Sequence, residues 1–143
     1  MNFSVVVENE EAGSVVRATL LNDTKDALHL YFPTSQRLSV RLYDSADDNA
    51  LVYVSEREWM YMQVVEDVYV ASGEEVVYEE KIPSRLLTDG HSYQGVVNLT
   101  AKKMNGTSVS EKVQQTVTFT RKRKYAWLFV CQNWKPYRLE TTS

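Results

Sequence analysis

The sequence predicts an all-β chain folded as an antiparallel sandwich, and three observations carry that prediction. Apolar and polar residues alternate at period two in several short runs. The strictest is Leu38-Ser39-Val40-Arg41-Leu42-Tyr43, which puts Leu38, Val40 and Leu42 on one face. Turn residues punctuate the runs, as in Pro33-Thr34-Ser35 and in the polar stretch Asp44-Ser45-Ala46-Asp47-Asp48-Asn49. Helical periodicity is almost absent. The total is about eight to ten short strands, the spacing of a sandwich.

In chain order, Phe3 to Glu8 reads as a short first strand at an edge, and Glu10-Glu11-Ala12-Gly13-Ser14 as a turn. Val15 to Asn22 is a second strand with Val16, Ala18 and Leu20 on one face. After the loop Thr24-Lys25-Asp26, Ala27 to Phe32 forms a third, with Leu28, Leu30 and Phe32 inward. An alternating strand ending in Leu21-Asn22-Asp23, a short polar loop and another alternating strand is a common opening of immunoglobulin-like sandwiches. Leu38–Tyr43 and Leu51–Ser55 then form a hairpin across the Asp44–Asn49 loop.

Ser55 to Met62 is the one stretch that allows a helical turn, because Ser55-Glu56-Arg57-Glu58 resembles a capping box before Trp59. The favoured alternative is extended chain with Trp59 packed over the sandwich. Val64 to Val70 returns to strand, Ala71-Ser72-Gly73-Glu74 turns, and Glu75 to Ile82 is strand again. Pro83 to Gly90 is the longest loop. His91–Lys102 and Val113–Thr120 pair across Met104-Asn105-Gly106-Thr107, where Asn-Gly favours a primed turn. Arg121-Lys122-Arg123-Lys124 breaks the pattern, and the apolar run Tyr125 to Val130 resumes it. One domain over 1–121 and a C-terminal extension over 122–143, with an extra docked strand at Tyr125–Cys131, is the expected organisation. The run from Tyr125 to Trp134 also offers a surface for self-association or a partner, or a membrane-surface contact beside the basic run.

Composition narrows the class. With 143 residues, 43% hydrophobic and 24% charged, the chain has the make-up of one ordinary globular domain. A net charge of −3 argues against nucleic acid as the partner. Cys131 stands alone, so no internal disulfide forms, which favours a reducing compartment such as the cytoplasm. The first residues lack a basic n-region, and no stretch reaches the ~20 apolar residues of a membrane span. Asn22, Asn98 and Asn105 each begin an Asn-x-Thr acceptor pattern, but without a secretory signal they read as turn residues.

A series of signals is spread over this frame. Phe32-x-Thr34-Ser35-Gln36 precedes a strand ending in Tyr43-Asp44-Ser45, followed by Tyr53-x-Ser55. Trp59 with Gln63 four residues on, Ser72-Gly73-Glu74, and Gly90 shortly before Tyr93 complete it. In this order the signals resemble the BsuPI-type intracellular proteinase inhibitor family, over roughly Val5 to Phe119. The chain departs from the family's usual pattern at Ser35, where a glycine is usual, and near Lys81 and Ile82, where an aromatic is usual. The resemblance implies a β-sandwich that inhibits a serine protease of the subtilisin type without catalysis or a cofactor.

The residues carry no enzyme motif: there is no phosphate loop, nucleophile elbow or His/Cys set with zinc spacing. Only a triad assembled across the fold is left open. Asp44, Asp47 and Asp48 lack the glycine and following glutamate of a calcium loop, so they read as a solvated hairpin tip, and Glu74-Glu75 and Glu79-Glu80 as exposed strand positions. A protease-binding loop must be extended and exposed. Pro83, Ser84, Arg85, Leu86 and Leu87 are the first candidate, because Pro83 favours extension at Ile82 and the leucines suit an apolar pocket. The competing reading has Leu86 and Leu87 capping the sandwich end. Thr34, Ser35 and Gln36 are the second candidate, against a satisfied polar turn. A non-inhibitory interaction module is the alternative function. A second alternative is a carbohydrate- or polymer-binding sandwich using exposed Trp59, Tyr61 or Trp127.

Overall fold

The computed structural model describes residues 1–109 and 113–122. It contains three antiparallel sheets, which pack in a sandwich-like arrangement. Strands β1 (Asn2–Glu10) and β2 (Gly13–Leu21) form a hairpin, and β7 (Glu75–Pro83) pairs with the other side of β2. β3 (Leu28–Phe32) pairs with β6 (Glu66–Val70) on one side and with β9 (Lys103–Met104) on the other. β10 (Thr107–Ser108) completes that sheet beyond β9. The third sheet has the order β11-β8-β4-β5, from β4 (Leu38–Asp44), β5 (Ala50–Val54), β8 (Ser92–Leu99) and β11 (Gln114–Thr120).

Period-two patterning sets which faces meet. Val16, Ala18 and Leu20 of β2, Leu28, Leu30 and Phe32 of β3, and Leu38, Val40 and Leu42 of β4 all lie in one buried cluster. Tyr93, Val97 and Phe119 close it from β8 and β11, with the Tyr93 and Phe119 rings 5.6 Å apart. Asn22, which begins one of the acceptor patterns, is fully buried, and its Nδ2 donates to the carbonyls of Asp26 and Val70 at 2.9 Å each. It serves the backbone where β2 and β6 leave their sheets.

Several expectations need correction. β1 is an edge strand but nine residues long, not short, because its whole length pairs with β2. The described residues hold eleven strands, the excess over the expected eight to ten coming from the two-residue β9 and β10. β8 pairs with β11 as expected, but the Asn105-Gly106 turn joins β9 to β10 in the sheet of β3. Both turn residues have positive φ, 52° and 78°, and Asn105 Oδ1 accepts the His29 N–H at 2.9 Å, which holds the turn there. Asp44 is buried instead of lying at a solvated tip: its carboxylate caps Ala46 N–H at 3.0 Å and meets His91 Nδ1 at 2.9 Å. Glu80 is buried too, since it falls in phase with Ile82 on the inner face of β7.

β11 ends in a fixed attachment. Arg121 is fully buried and donates through Nη1 to the carbonyls of Glu10 (2.8 Å) and Gly13 (2.9 Å) at the β1–β2 turn. Asn9 Nδ2 donates to the Thr120 carbonyl at 2.8 Å. These bonds tie the edge of the third sheet to the β1–β2 hairpin. The expected strand at Tyr125–Cys131, and the Tyr125–Trp134 surface with Trp127, lie outside the described residues.

Candidate functional site

The chain between β5 and β6 crosses from one sheet to another at the sandwich edge. It begins with one helical turn, α1 (Ser55–Glu58), and continues through residues 59–65 without regular structure. The helical turn is real, but the capping box is not made. Val54 occupies the cap position, and the Ser55 hydroxyl is drawn inward. There it accepts the Val40 N–H at 2.7 Å and donates to the Glu80 carboxylate.

Glu80 is the centre of a buried polar network. The Tyr53 hydroxyl donates to Glu80 Oε2 at 2.6 Å and accepts from Trp59 Nε1 at 2.8 Å. Burial pushes the Glu80 carboxyl above its ordinary range, against the opposing hydrogen bonds from Ser55 and Tyr53. Burial, then the hydrogen bond to Glu80 and its charge, push the Tyr53 phenol up strongly. The Tyr61 hydroxyl is buried beside Ser55 without a hydrogen bond of ordinary geometry, and burial with the Glu80 charge pushes its pKa to about 12. Trp59 and Tyr61 therefore both turn their polar ends toward the sandwich.

The residues between and after them do the reverse. Met60 is 100% exposed and Met62 67%, and Val64 and Val65 are also exposed. Single exposed apolar side chains are common, but a consecutive set points to a recognition surface. A shallow groove of about 360 Å³ runs between Trp59-Met60-Tyr61 and Glu79-Glu80-Lys81.

This segment is braced by the second candidate turn. Ser35 N–H donates to the Met62 carbonyl at 2.9 Å, and Met62 N–H donates to Ser35 Oγ at 2.8 Å. The turn is itself held: Gln36 N–H donates to Thr34 Oγ1 (3.1 Å), Thr100 Oγ1 to the Gln36 carbonyl (2.6 Å), and Arg37 Nη1 to the Thr34 carbonyl (2.8 Å). Gln36 Nε2 reaches the Leu38 carbonyl at 2.8 Å. The polar turn and the apolar segment thus form one unit.

The first candidate loop has another geometry. Ile82 is fully buried and Pro83 is the last residue of β7. Ser84–Leu86 is a single 3₁₀ turn closed by Leu87 N–H to the Ser84 carbonyl at 3.0 Å. Leu86 and Leu87 are partly buried against the core, and Arg85 pairs with Glu58 of α1. The structure thus separates Pro83–Leu87 from the Thr34–Gln36 turn and joins the latter to residues 59–65. The sequence pointed to Trp59 and Tyr61 as exposed aromatics but not to the methionines and valines beside them, which form most of this surface. Its signal was the period-two apolar set Met60, Met62 and Val64, continued by Val65.

The two histidines sit in separate pairs, His29 Nε2 with Asp67 Oδ1 at 2.8 Å and His91 with Asp44. Among the described residues, no group of His, Cys, Asp and Glu is arranged to hold a metal ion. No helix among them is long and apolar enough to cross a membrane.

Comparison with known proteins bears on the site. The sequence profile of the BsuPI family, described as "Intracellular proteinase inhibitor", matches residues 1–104. The chain belongs to the BsuPI family. The matched residues run from β1 through β9 and contain the Thr34–Gln36 turn, α1 and the whole 59–65 segment. The family implies an intracellular proteinase inhibitor-like role with a protease as partner. A crystal structure of a protein from Archaeoglobus fulgidus aligns over 85% of this chain and 97% of that chain, at 10% identity and a TM-score of 0.45. No curated protein matches the chain.

Proposed function

We propose that this BsuPI-family chain inhibits a cytoplasmic serine protease of the subtilisin type, and that the exposed segment Trp59–Val65 is the loop that binds it. The observation that carries the reading is the brace at Met62, where both backbone groups are held by Ser35 while the flanking side chains face solvent. Proteases read extended backbone, and a loop held in that form beforehand loses less conformational entropy on binding. An interface of ~800 Å² per partner is enough for tight association. Pro83–Leu87 fits the role less well, because its turn is 3₁₀ and its leucines pack on the core. In this reading Thr34–Gln36 supports the loop instead of entering the protease. The domain extends over residues 1–121, and 122–143 form its extension.

The test is a titration of the full chain against a subtilisin-type protease, with a Leu86→Asp, Leu87→Asp double variant and a Met60→Asp, Met62→Asp double variant alongside. Stoichiometric inhibition that survives the leucine changes and fails with the methionine changes supports the reading. Loss with the leucine changes alone moves the site to Pro83–Leu87. A parent that is digested without inhibiting removes the subtilisin-type partner.

A second reading, a non-inhibitory docking module, draws on β6. That strand ends its sheet among the described residues and exposes Tyr69, and a partner strand added along that edge would extend the sheet. Of the aromatics that the carbohydrate reading uses, Trp59 is 42% exposed with its Nε1 on Tyr53, Tyr61 turns its hydroxyl inward, and Trp127 lies outside the described residues.

A further inference from the structure

We infer that Met60 is the side chain that enters the primary specificity pocket of the partner, and that this pocket is a deep apolar slot. The inference rests on the inhibitor reading and adds to it a residue and a class of protease. Trp59 is 42% exposed but ties its Nε1 to the Tyr53 hydroxyl, Met60 is wholly exposed, Tyr61 is half-buried with its hydroxyl inward, and Met62 is exposed again. The segment enters in extended form, with Trp59 at φ −122° and ψ 147°. A protease takes an extended segment with one side chain pointing into its primary pocket.

Met60 is the most exposed large apolar residue among those described. It lies between Trp59, whose N–H donates to the Ser55 carbonyl and whose Nε1 donates to Tyr53, and Met62, which Ser35 holds, so the segment is fixed on both sides while the Met60 side chain is free. That combination suits an anchor: the loop is ordered in advance, and the residue loses almost all its water contact on binding. The peptide on either side of Met60 is held through Trp59 and through the Ser35 brace, so it resists the distortion that cleavage requires. A long, unbranched, uncharged side chain fills an apolar slot. It does not satisfy a pocket with a carboxylate at its base, as in trypsin, or a pocket narrowed for small residues. Met62 is less exposed, and its backbone hydrogen-bonding groups are already used by Ser35, so they are not available to a protease strand.

The experiment uses the full chain and its Met60→Asp, Met60→Lys and Met60→Leu variants. Inhibition constants are measured against subtilisin, chymotrypsin and trypsin, and thermal unfolding confirms that each variant is folded. The expected result is inhibition of an apolar-pocket enzyme by the parent, kept by Met60→Leu and weakened about thirtyfold or more by Met60→Asp. Met60→Lys is expected to gain inhibition of trypsin, which a merely structural role would not produce. Inhibition by the parent that all three variants retain overturns the assignment of Met60 and leaves the inhibitor reading standing. Loss in Met60→Asp without a gain of trypsin inhibition in Met60→Lys overturns the pocket assignment. A parent that inhibits none of the three enzymes overturns the inhibitor reading for these proteases, and the inference with it.

Discussion

Ser35 and Met62 hold each other by two hydrogen bonds, Ser35 N–H to the Met62 carbonyl at 2.9 Å and Met62 N–H to the Ser35 hydroxyl at 2.8 Å. The pair joins a polar turn after β3 to an apolar segment before β6. One of the two bonds needs the serine side chain and the other does not. Ser35→Ala therefore removes half of the brace and leaves the backbone contact. The bond is worth about 1 kcal/mol to the folded loop, so protease binding should weaken by up to roughly fivefold, with the unfolding midpoint lowered by no more than a few degrees. An inhibition constant unchanged in Ser35→Ala would sink the brace as a functional device.

Glu80 should give a pH-dependent stability of identifiable sign. Burial raises its carboxyl above the ordinary 4.5, and the Glu56 charge adds to the rise. The folded state then binds the proton more tightly than the unfolded chain. The resulting stabilisation is complete below the unfolded value and is lost as pH rises through the folded one. Other carboxylates act at the same time, so the test is a difference. Relative to Glu80→Gln, the parent should gain stability as pH falls from neutral toward 4.5. Parallel pH profiles for the two proteins would refute the assignment.

Arg121 supplies donors to two carbonyls of the β1–β2 turn from a fully buried position. Arg121→Met keeps most of the volume and leaves those carbonyls without their donor. A loss of about 2–3 kcal/mol is expected in denaturant unfolding, with Arg121→Lys losing less. A cost within roughly half a kilocalorie per mole would mean that the attachment contributes little to the fold.

Gly13 sets the approach of β2 to β7. A Cβ there would lie 2.0 Å from the Ile82 carbonyl oxygen, which is backbone and cannot turn aside. Gly13→Ala should cost at least about 2 kcal/mol. Both glycines have positive φ, 156° at Gly13 and 81° at Gly73, but a Cβ at Gly73 meets nothing within 4 Å, so a loss in Gly73→Ala comes from the backbone alone. Equal losses at the two positions would contradict the close-approach account.

What the sequence determined by itself was the set of inward faces. Val16, Ala18 and Leu20, then Leu28, Leu30 and Phe32, then Leu38, Val40 and Leu42 were legible because strand side chains alternate with period two whatever the strand pairs with. The sandwich class and the family resemblance followed from the same local signals. Tertiary structure alone decided the site, because its parts are far apart in the chain. Ser35 meets Met62 across 27 positions, and Tyr53 meets Glu80 across another 27. Glu80 read as an exposed strand glutamate because charge suggests solvent, yet its phase on β7 faces it to Tyr53 and Ser55, which satisfy it. Pro83–Leu87 read as an extended loop because proline restricts only its neighbour. Whether Leu86 and Leu87 reach solvent depended on the core surface beneath them. Period and turn chemistry are local properties of the chain, whereas exposure and hydrogen-bond partnership depend on which strands become neighbours.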